Sequence, residues 1–307
     1  MGFHLQDIKG VIPALVTCFD EKGNYDERRQ RKVTSYLIDR GVNGLYLTGT
    51  TGEAFLMTHE ERKKVVEDVI DENKGRLPII VHVGAISTRH SIDLAKHAEK
   101  AGADAVSSVP PIFWKFTEAQ IFNYYRDISC SVNIPMVVYN IALAGAVSFN
   151  FIKSLATIEN VKGIKYTLST KFEILRIKEE IGKDFMVYSG ADEMALAGLI
   201  FGADGNIGSF YNMIPEPFLD IYKAVQEGDL KTAQEKQRIA NAIVMFTLDR
   251  GYQLGMKAGM QWMGVDAGWC REPLGRFDKE TEEKYHAEFR QLKKELGVSG
   301  IPFLDNL

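Results

Sequence analysis

Lys165 lies near the C-terminal end of a short run, Val161–Thr167, with the sequence VKGIKYT. β-Branched and aromatic residues dominate this run, which therefore predicts a β-strand. Because side chains alternate along a strand, Lys162 and Lys165 must point to opposite faces, and only one of them can face an interior. Lys165 is then either a surface residue whose charged end reaches water or a desolvated amine that acts as a nucleophile.

Other polar residues follow predicted strands at positions where they could bind an anion or transfer a proton. The segment Gly49–Glu53 holds Thr50 and Thr51 between glycines, whose backbone N–H groups can approach an anion closely while the hydroxyls add donors. A plain Gly-Thr turn is the alternative. Tyr139 ends another strand. It either packs with a solvated hydroxyl or, if it faces Lys165 across one cavity, transfers protons.

Two carboxylates and a serine follow the last two predicted strands. Asp192 and Glu193 come shortly after Tyr188, and Ser209 follows the next strand along the chain. The carboxylates could cap the following helix, because negative charge is favoured at a helix N-terminus. Alternatively, they accept hydrogen bonds from a polyol, which needs several acceptors in one pocket.

These candidates can cooperate only in a fold that brings strand ends together. From Gly10 to about Ser209, short apolar runs alternate with polar turns and amphipathic helices. The apolar runs are Val11–Thr17, Gly44–Leu47, Ile79–Val83, Ala105–Val109, Met136–Tyr139, Val161–Thr167, Phe185–Tyr188 and Asn206–Phe210. Eight such units predict an α/β fold, a (β/α)8 TIM barrel, whose active site lies at the C-terminal ends of its strands. A doubly wound sheet is the competing architecture, but it seldom uses eight evenly spaced units.

Local signals support these element boundaries. Capping boxes are predicted where a threonine is followed three residues later by Glu or Gln, at Thr58 with Glu61 and at Thr117 with Gln120. Helices are predicted to end in a left-handed glycine before three strands, at Gly41, Gly102 and Gly202. Two of these glycines belong to similar motifs, Ala-Gly-Ala-Asp104 and Phe-Gly-Ala-Asp204, which indicates one helix-to-strand turn used twice.

The alternation of strands and helices stops after Ser209. Four helices are predicted in the remaining chain, over Pro215–Glu227, Leu230–Asp249, Tyr252–Met263 and Lys279–Leu296. No linker rich in Pro, Gly or Ser precedes them. We therefore expect one domain, in which residues 1–215 form the barrel and residues 216–307 form helices packed on it.

Composition excludes several classes of protein. The 307 residues carry a formal net charge of −4, which gives no reason to expect nucleic acid or an anionic membrane as partner. No apolar run reaches the length of a membrane span, and the first residues lack the pattern of a signal peptide. The three cysteines are widely spaced and the six histidines form no metal-binding pair. We expect a cytoplasmic protein without a metal centre.

The combined motifs resemble the pyruvate-dependent class I aldolases, the superfamily of N-acetylneuraminate lyase and dihydrodipicolinate synthase. The resemblance covers roughly residues 8 to 297. It depends on five motifs that occur in register, Gly49–Glu53, Tyr139-Asn140, Gly163-Ile-Lys165, Ser189–Glu193 and Gly202–Ser209. It implies that Lys165 forms a Schiff base with substrate and that Tyr139 relays protons. It also implies that no metal or dissociable cofactor is needed and that the protein is a homotetramer.

The same resemblance implies how substrate is bound. Thr50 and Thr51 would hold the α-keto carboxylate, and Thr50 also counts as a catalytic residue. The remaining residues expected to bind substrate are Thr167, Gly190, Asp192, Glu193 and Ser209. In the lyase branch, Asp192, Glu193 and Ser209 would bind the polyol tail of sialic acid.

Three positions bear on the branch of the superfamily. The synthase branch carries an arginine where this sequence has Ala144, so the lyase branch is favoured. The family usually has proline where Ala142 stands, so the loop after the fifth strand can follow another path. Many members carry a tyrosine that reaches into a neighbouring subunit, and Phe113 takes its place here, as it does in some lyases.

The predicted activity is cleavage of N-acetylneuraminate to N-acetylmannosamine and pyruvate. Three alternatives stay open: an aldolase for another 2-keto-3-deoxy sugar acid, an enzyme similar to dihydrodipicolinate synthase, and a catalytically silent barrel that binds sugar acids. The expected partners are therefore small molecules, namely sialic acid, pyruvate and N-acetylmannosamine.

Overall fold

Eight parallel strands form the centre of the molecule in a computed structural model that describes residues 2–307. The strands are β1 Gly10–Pro13, β2 Leu45–Leu47, β3 Ile79–His82, β4 Ala105–Ser108, β5 Met136–Asn140, β6 Val161–Tyr166, β7 Met186–Ser189 and β8 Gly205–Gly208. Each strand pairs in parallel with its sequence neighbour from β2 to β8, and β8 pairs with β1. The predicted (β/α)8 TIM barrel is confirmed.

The barrel closes between β1 and β2 just beyond the end of β1. Ala14 forms a parallel bridge with Tyr46, and the Leu15 N–H donates to the Tyr46 carbonyl at 2.9 Å. The prediction extended the first strand to Thr17, but regular pairing ends at Pro13. The eighth strand likewise ends at Gly208, because the chain turns there into a short 3₁₀ helix.

Helices follow every strand and continue beyond the barrel. The α-helices of residues 2–307 are α1 Glu27–Asp39, α2 His59–Asn73, α3 Thr88–Ala101, α4 Glu118–Ser129, α5 Phe149–Leu155, α6 Phe172–Glu180, α7 Ala195–Ile200, α8 Pro215–Glu227, α9 Leu230–Leu248, α10 Tyr252–Trp262, α11 Lys279–Leu296 and α12 Pro302–Asp305. Short 3₁₀ helices lie at Leu5–Asp7, Ala54–Leu56, Ala142–Ala144, Asp192–Met194 and Phe210–Asn212. Among the described residues, no helix has the length and hydrophobicity needed to cross a bilayer.

The helix boundaries follow from local chemistry. Both predicted capping boxes form, at Thr58 with Glu61 and at Thr117 with Gln120, so each box satisfies two backbone donors that the helix itself cannot. The glycines predicted to end helices before strands have positive φ, at 80° for Gly41, 103° for Gly102 and 93° for Gly202.

Apolar side chains fill the barrel on both sides of the strands. The interior is packed by side chains such as Ile12, Tyr46, Val137 and Tyr188, and the 3₁₀ helix Leu5–Asp7 covers its N-terminal end. The other face of the strands packs against the surrounding helices. Since a filled barrel leaves no channel, ligands can enter only at the ends of the strands.

The C-terminal helices extend this layer over the mouth of the barrel. Helix α8 packs against β1 and α7 and therefore occupies the place of the eighth barrel helix. Helix α9 reaches the segment after β7, where Gln237 Oε1 accepts from the Leu196 N–H at 2.8 Å. The predicted domain limits, residues 1–215 and 216–307, stay a prediction.

The two similar Gly-Ala-Asp motifs form the same turn. The Ala103 N–H donates to the Ala98 carbonyl, and the Ala203 N–H donates to the Gly198 carbonyl in the same way. Each aspartate then accepts a backbone N–H from the strand beside it: Asp104 accepts from Ile79 at 2.8 Å, and Asp204 accepts from Val187 at 2.7 Å. The carboxylates thus set the register at which β3 and β7 enter the sheet.

We predict that Asp104→Ala lowers the free energy of unfolding by about 1–3 kcal/mol, because it leaves the buried Ile79 N–H without an acceptor. Urea unfolding at neutral pH measures the change. The exposed Asp184 provides a matched control, and Asp184→Ala is expected to unfold like the wild type. Equal stability of Asp104→Ala and wild type would show that the turn does not depend on this carboxylate.

Candidate active site

A cavity of about 380 Å³ lies at the C-terminal ends of the strands, where the predicted site residues meet. Eight of the nine predicted residues line it: Thr50, Thr51, Tyr139, Lys165, Thr167, Asp192, Glu193 and Ser209. Strand register explains the central pair, because Tyr139 on β5 lies directly opposite Lys165 on β6. The ends of parallel strands therefore bring together residues that are far apart in sequence.

The amine of Lys165 is enclosed by aromatic rings. Its side chain is buried, and the Nζ atom lies 4.2 Å from the ring centre of Tyr139 and 4.6 Å from that of Tyr46. Lys162 on the other face of β6 is exposed, as strand alternation predicted. Burial lowers the pKa of Lys165 to about 7, although the nearby Asp192 carboxylate opposes this effect. A large fraction of the amine is consequently neutral at physiological pH.

The phenol of Tyr139 remains protonated at neutral pH. Burial raises its pKa to about 12, and the hydroxyls of Thr50 and Thr167 lie close enough to oppose part of this rise. A neutral phenol can pass a proton on only while it accepts another. Tyr139 is therefore suited to relaying a proton and not to acting as a deprotonated general base.

Three hydroxyls form a cluster at the cavity wall. Ser209 Oγ lies 2.7 Å from Thr51 Oγ1 and 2.6 Å from the hydroxyl of Tyr252, which itself lies 3.3 Å from Thr51 Oγ1. Tyr252 is the first residue of α10, and sequence reasoning did not identify it as part of the site. The rule that polar residues follow strands could not find it, since it begins a helix of the C-terminal region.

The Gly49–Glu53 segment is anchored from behind by a buried ion pair. Lys257 of α10 donates to Glu53 Oε1 at 2.6 Å and to the carbonyls of Thr17 and Trp269. The other carboxylate oxygen of Glu53 accepts from the Arg271 N–H at 2.7 Å. Glu53 is thus fully occupied by the protein, and its backbone adopts a left-handed conformation with φ of 55°. This arrangement leaves the two threonines of the segment facing the cavity.

Asp192 is a buried acceptor at the cavity wall. Burial raises its pKa to about 6, whereas the Ser209 N–H, which donates to Oδ2 at 3.2 Å, favours the ionised form. The other oxygen, Oδ1, and the hydroxyl of Thr167 are buried without a hydrogen-bond partner among residues 2–307. Buried polar atoms are normally paired, so these two atoms are available to a bound polar ligand.

Gly190 is the one predicted residue that does not line the cavity. Its N–H donates to the Tyr166 carbonyl at 2.9 Å, and its carbonyl accepts from Lys171 at 2.8 Å. A Cβ atom at Gly190 would lie 2.1 Å from Thr167 Oγ1. The absence of a side chain there allows Thr167 to pack against the end of β7, so Gly190 acts on the cavity through Thr167.

The two departures from the family pattern lie toward the edge of the site. Ala142 begins the short 3₁₀ helix after β5, and Leu143 of that helix lines the cavity. Phe113 is 86% exposed, has a φ of 86° and packs edge-on against Trp114. Neither Ala142 nor Phe113 lines the catalytic cavity of the described chain.

Comparison with known proteins identifies the family. The profile of the dihydrodipicolinate synthetase family matches residues 7–292, which is most of the chain. The chain belongs to the dihydrodipicolinate synthetase family.

Relatives within this family share the fold over nearly their whole length. An N-acetylneuraminate lyase of Escherichia coli (strain SMS-3-5 / SECEC) is 38% identical over 294 residues, which cover 94% of this chain and 97% of the relative. The solved N-acetylneuraminate lyase of Mycoplasma synoviae is 31% identical, with a TM-score of 0.88 over 94% of this chain and 99% of its own. The wild-type sialic acid aldolase of Ruminococcus gnavus has the same identity, TM-score and coverage.

We predict that Lys165→Met raises the free energy of unfolding by roughly 3–5 kcal/mol at pH 7, because it removes the cost of burying the amine. The pKa of Lys165 is about 7 in the folded protein and ordinarily 10.5, so between these values the unfolded chain binds a proton that the folded chain does not. The gain in stability is therefore absent above about pH 10.5, grows as the pH falls toward 7, and stays constant below it.

Urea unfolding at several pH values measures this gain. The exposed Lys162 of the same strand supplies the control, since Lys162→Met is expected to change stability by less than about 0.5 kcal/mol. A Lys165→Met protein that is no more stable than wild type at any pH would contradict a desolvated Lys165.

Proposed function

We propose that this protein is a Schiff-base aldolase that cleaves N-acetylneuraminate to N-acetylmannosamine and pyruvate. One observation carries the proposal: a buried lysine with a pKa of about 7 lies beside a tyrosine in a cavity rich in hydroxyls. Relatives from the same family support it, because they are N-acetylneuraminate lyases and sialic acid aldolases. One solved relative is the catalytic lysine mutant of the Ruminococcus gnavus aldolase, at 31% identity.

The reaction begins with the neutral amine of Lys165. It attacks the C2 ketone of the open-chain sugar acid to give a carbinolamine, which loses water and becomes an iminium ion. A fully protonated lysine has no lone pair to donate, so burial of Lys165 is what permits this step at neutral pH. The positive iminium then acts as an electron sink for the bond between C3 and C4.

Tyr139 transfers the proton that bond cleavage releases. As the C3–C4 bond breaks, its electron pair moves toward the iminium and forms an enamine, while the C4 hydroxyl becomes the aldehyde of N-acetylmannosamine. Tyr139 accepts the hydroxyl proton as it passes its own proton to the substrate carboxylate. The carboxyl proton is then returned to C3 of the enamine, and water hydrolyses the resulting iminium ion to release pyruvate and free Lys165.

The cavity offers hydrogen-bonding groups to both parts of this substrate, and the two groups meet where Thr51 Oγ1 lies 2.7 Å from Ser209 Oγ. Thr50 and Thr51 offer hydroxyls to the carboxylate, next to backbone N–H groups of a glycine-flanked segment. Asp192, Glu193 and Thr167 offer oxygen atoms to the hydroxyls of the sugar, and the cluster of Ser209 completes that wall. Because Asp192 Oδ1 and Thr167 Oγ1 have no hydrogen-bond partner within residues 2–307, a polyol would satisfy them at no loss of existing bonds.

The structure disfavours a second carboxylate on the substrate. Lys165 is the one lysine or arginine among the described residues that line the cavity. Ala144, where the synthase branch has an arginine, offers no charge to a dicarboxylate. Another 2-keto-3-deoxy sugar acid has the same C2 ketone, carboxylate and hydroxyls, and it remains the second candidate substrate.

We also propose, on the resemblance to the family, that the protein forms a homotetramer and acts in the cytoplasm without a dissociable cofactor. Light scattering coupled to gel filtration tests the oligomer. A monomer at micromolar concentration would contradict it.

We predict that Lys165→Ala abolishes release of pyruvate from N-acetylneuraminate, because no other lysine of residues 2–307 lines the cavity. Lactate dehydrogenase and NADH follow pyruvate continuously, and circular dichroism checks that the variant is folded. Lys162→Ala removes the exposed lysine of the same strand and is expected to turn over like wild type.

Wild-type protein that is folded but releases no pyruvate from N-acetylneuraminate would exclude this substrate. Other 2-keto-3-deoxy sugar acids in the same assay then identify a related aldolase, and binding without turnover identifies a silent barrel. Normal rates in Lys165→Ala would instead refute the nucleophile.

A further inference from the structure

Another buried lysine, Lys171, lies behind the sugar-binding wall of the cavity, which is formed by Thr167, Asp192 and Glu193. It immediately precedes α6, and only 2% of the residue is exposed. Its Nζ atom donates to the Gly190 carbonyl at 2.8 Å and to the Tyr166 carbonyl at 3.2 Å. A lysine is rarely buried without a partner, and here both observed acceptors are backbone atoms at the ends of β6 and β7. The mechanism does not use this amine.

These bonds join the two strands that carry the catalytic and the sugar-binding residues. The Tyr166 carbonyl accepts from Lys171 and also from the Gly190 N–H at 2.9 Å. Tyr166 follows Lys165 directly, and Gly190 lies two residues before Asp192. Lys171 therefore fixes the distance between the nucleophile and the carboxylates that face the sugar.

The segment that Lys171 holds has an unfavourable backbone conformation. Ala191 has a φ of 65°, a region that residues with a Cβ atom rarely adopt. On its far side the segment is held by α9, where Gln237 donates to the Asp192 carbonyl at 3.1 Å and Asn241 donates to the Glu193 carbonyl at 3.2 Å. Such a conformation persists only when neighbouring contacts enforce it, and Lys171 supplies the contact on the near side.

We propose that Lys171 is a positioning residue that aligns Asp192 and Glu193 for the polyol end of the substrate. The proposal depends on the function given above, because it assigns the effect of Lys171 to the sugar and not to pyruvate. Lys171 touches no residue of the carboxylate-binding segment Gly49–Glu53 among its hydrogen-bond partners in residues 2–307. Its loss should thus weaken binding of one end of the substrate only.

The charge of Lys171 agrees with this role. Burial lowers its pKa to about 8, and the carboxylates of Glu193 and Asp192 oppose the fall. The amine thus stays largely protonated at neutral pH, and hydrogen bonds from a charged donor are about twice as strong as neutral ones.

The aldol addition of pyruvate to N-acetylmannosamine gives a KM for each end of the substrate separately. Lys171→Met keeps an unbranched apolar side chain of nearly the same length but removes the amine that makes both hydrogen bonds. We expect it to raise the KM for N-acetylmannosamine about tenfold and to leave the KM for pyruvate within about twofold of wild type. Lys171→Arg keeps a charged donor of different shape, so it should raise the KM for the sugar by a smaller factor, about threefold.

Lys178, within the helix α6 that Lys171 precedes, provides the matched control. Its amine also pairs with Asp204 and donates to the Phe185 carbonyl at 2.9 Å, but these partners lie at the opposite end of β7. Lys178→Met should therefore lose stability without changing either KM. A merely structural role for Lys171 would make the two Met variants alike in both KM values.

Each outcome decides the proposal. An unchanged KM for the sugar in Lys171→Met, or in Lys171→Arg if the Met variant does not fold, overturns it. An equal rise in the KM for pyruvate also overturns it, since the effect would not be confined to the sugar. Wild-type protein that forms an imine with pyruvate, trapped by borohydride, but processes no N-acetylneuraminate refutes the proposed function, and the assignment of Lys171 falls with it.

Discussion

Desolvation of one amine is the constraint on which this structure depends. Lys165 is excluded from water by the barrel interior and by two aromatic rings, and its pKa falls to about 7 as a result. This shift corresponds to a cost of roughly 4–5 kcal/mol for burying the amine, which is a large part of the free energy of unfolding of a typical domain. The packing of the rest of the barrel therefore has to offset the cost of burying Lys165.

The rest of the site is organised so that other charges do not undo this effect. Glu53 is paired with Lys257 behind the carboxylate-binding segment Gly49–Glu53. Lys171 donates hydrogen bonds to backbone carbonyls behind the sugar-binding wall. Of the carboxylates, Asp192 lies near enough to Lys165 to raise its pKa, but burial of the amine is the larger effect and the pKa of Lys165 still falls to about 7. The charged groups behind the cavity are thus paired within the protein, while Asp192 Oδ1 and Thr167 Oγ1 have no hydrogen-bond partner in residues 2–307 and are available to substrate.

Much of the fold and the centre of the site could be predicted from the sequence, because both depend on local patterns. Strand periodicity, capping boxes and left-handed glycines indicate the order of the elements and several of their boundaries, and the strand ends of a barrel must converge. Lys165 and Tyr139 follow from that rule. Tyr252 and Lys257 could not, because they come from a helix whose position over the barrel is set by packing between distant segments. Lys171 lacked any local signal, since its partners are backbone carbonyls, and the indirect role of Gly190 depends on the packing of Thr167.

The most direct test of Lys165 as a desolvated nucleophile is to map which lysine forms an imine with pyruvate and at what pH. Incubation with pyruvate and cyanoborohydride, followed by peptide mass spectrometry, locates the reduced adduct on the wild-type protein. We expect an adduct on Lys165 alone, with a rate of formation that falls to half near pH 7 as the amine becomes protonated. An adduct on Lys171 or on surface lysines, or a half-maximal rate near the ordinary lysine pKa of 10.5, would contradict it.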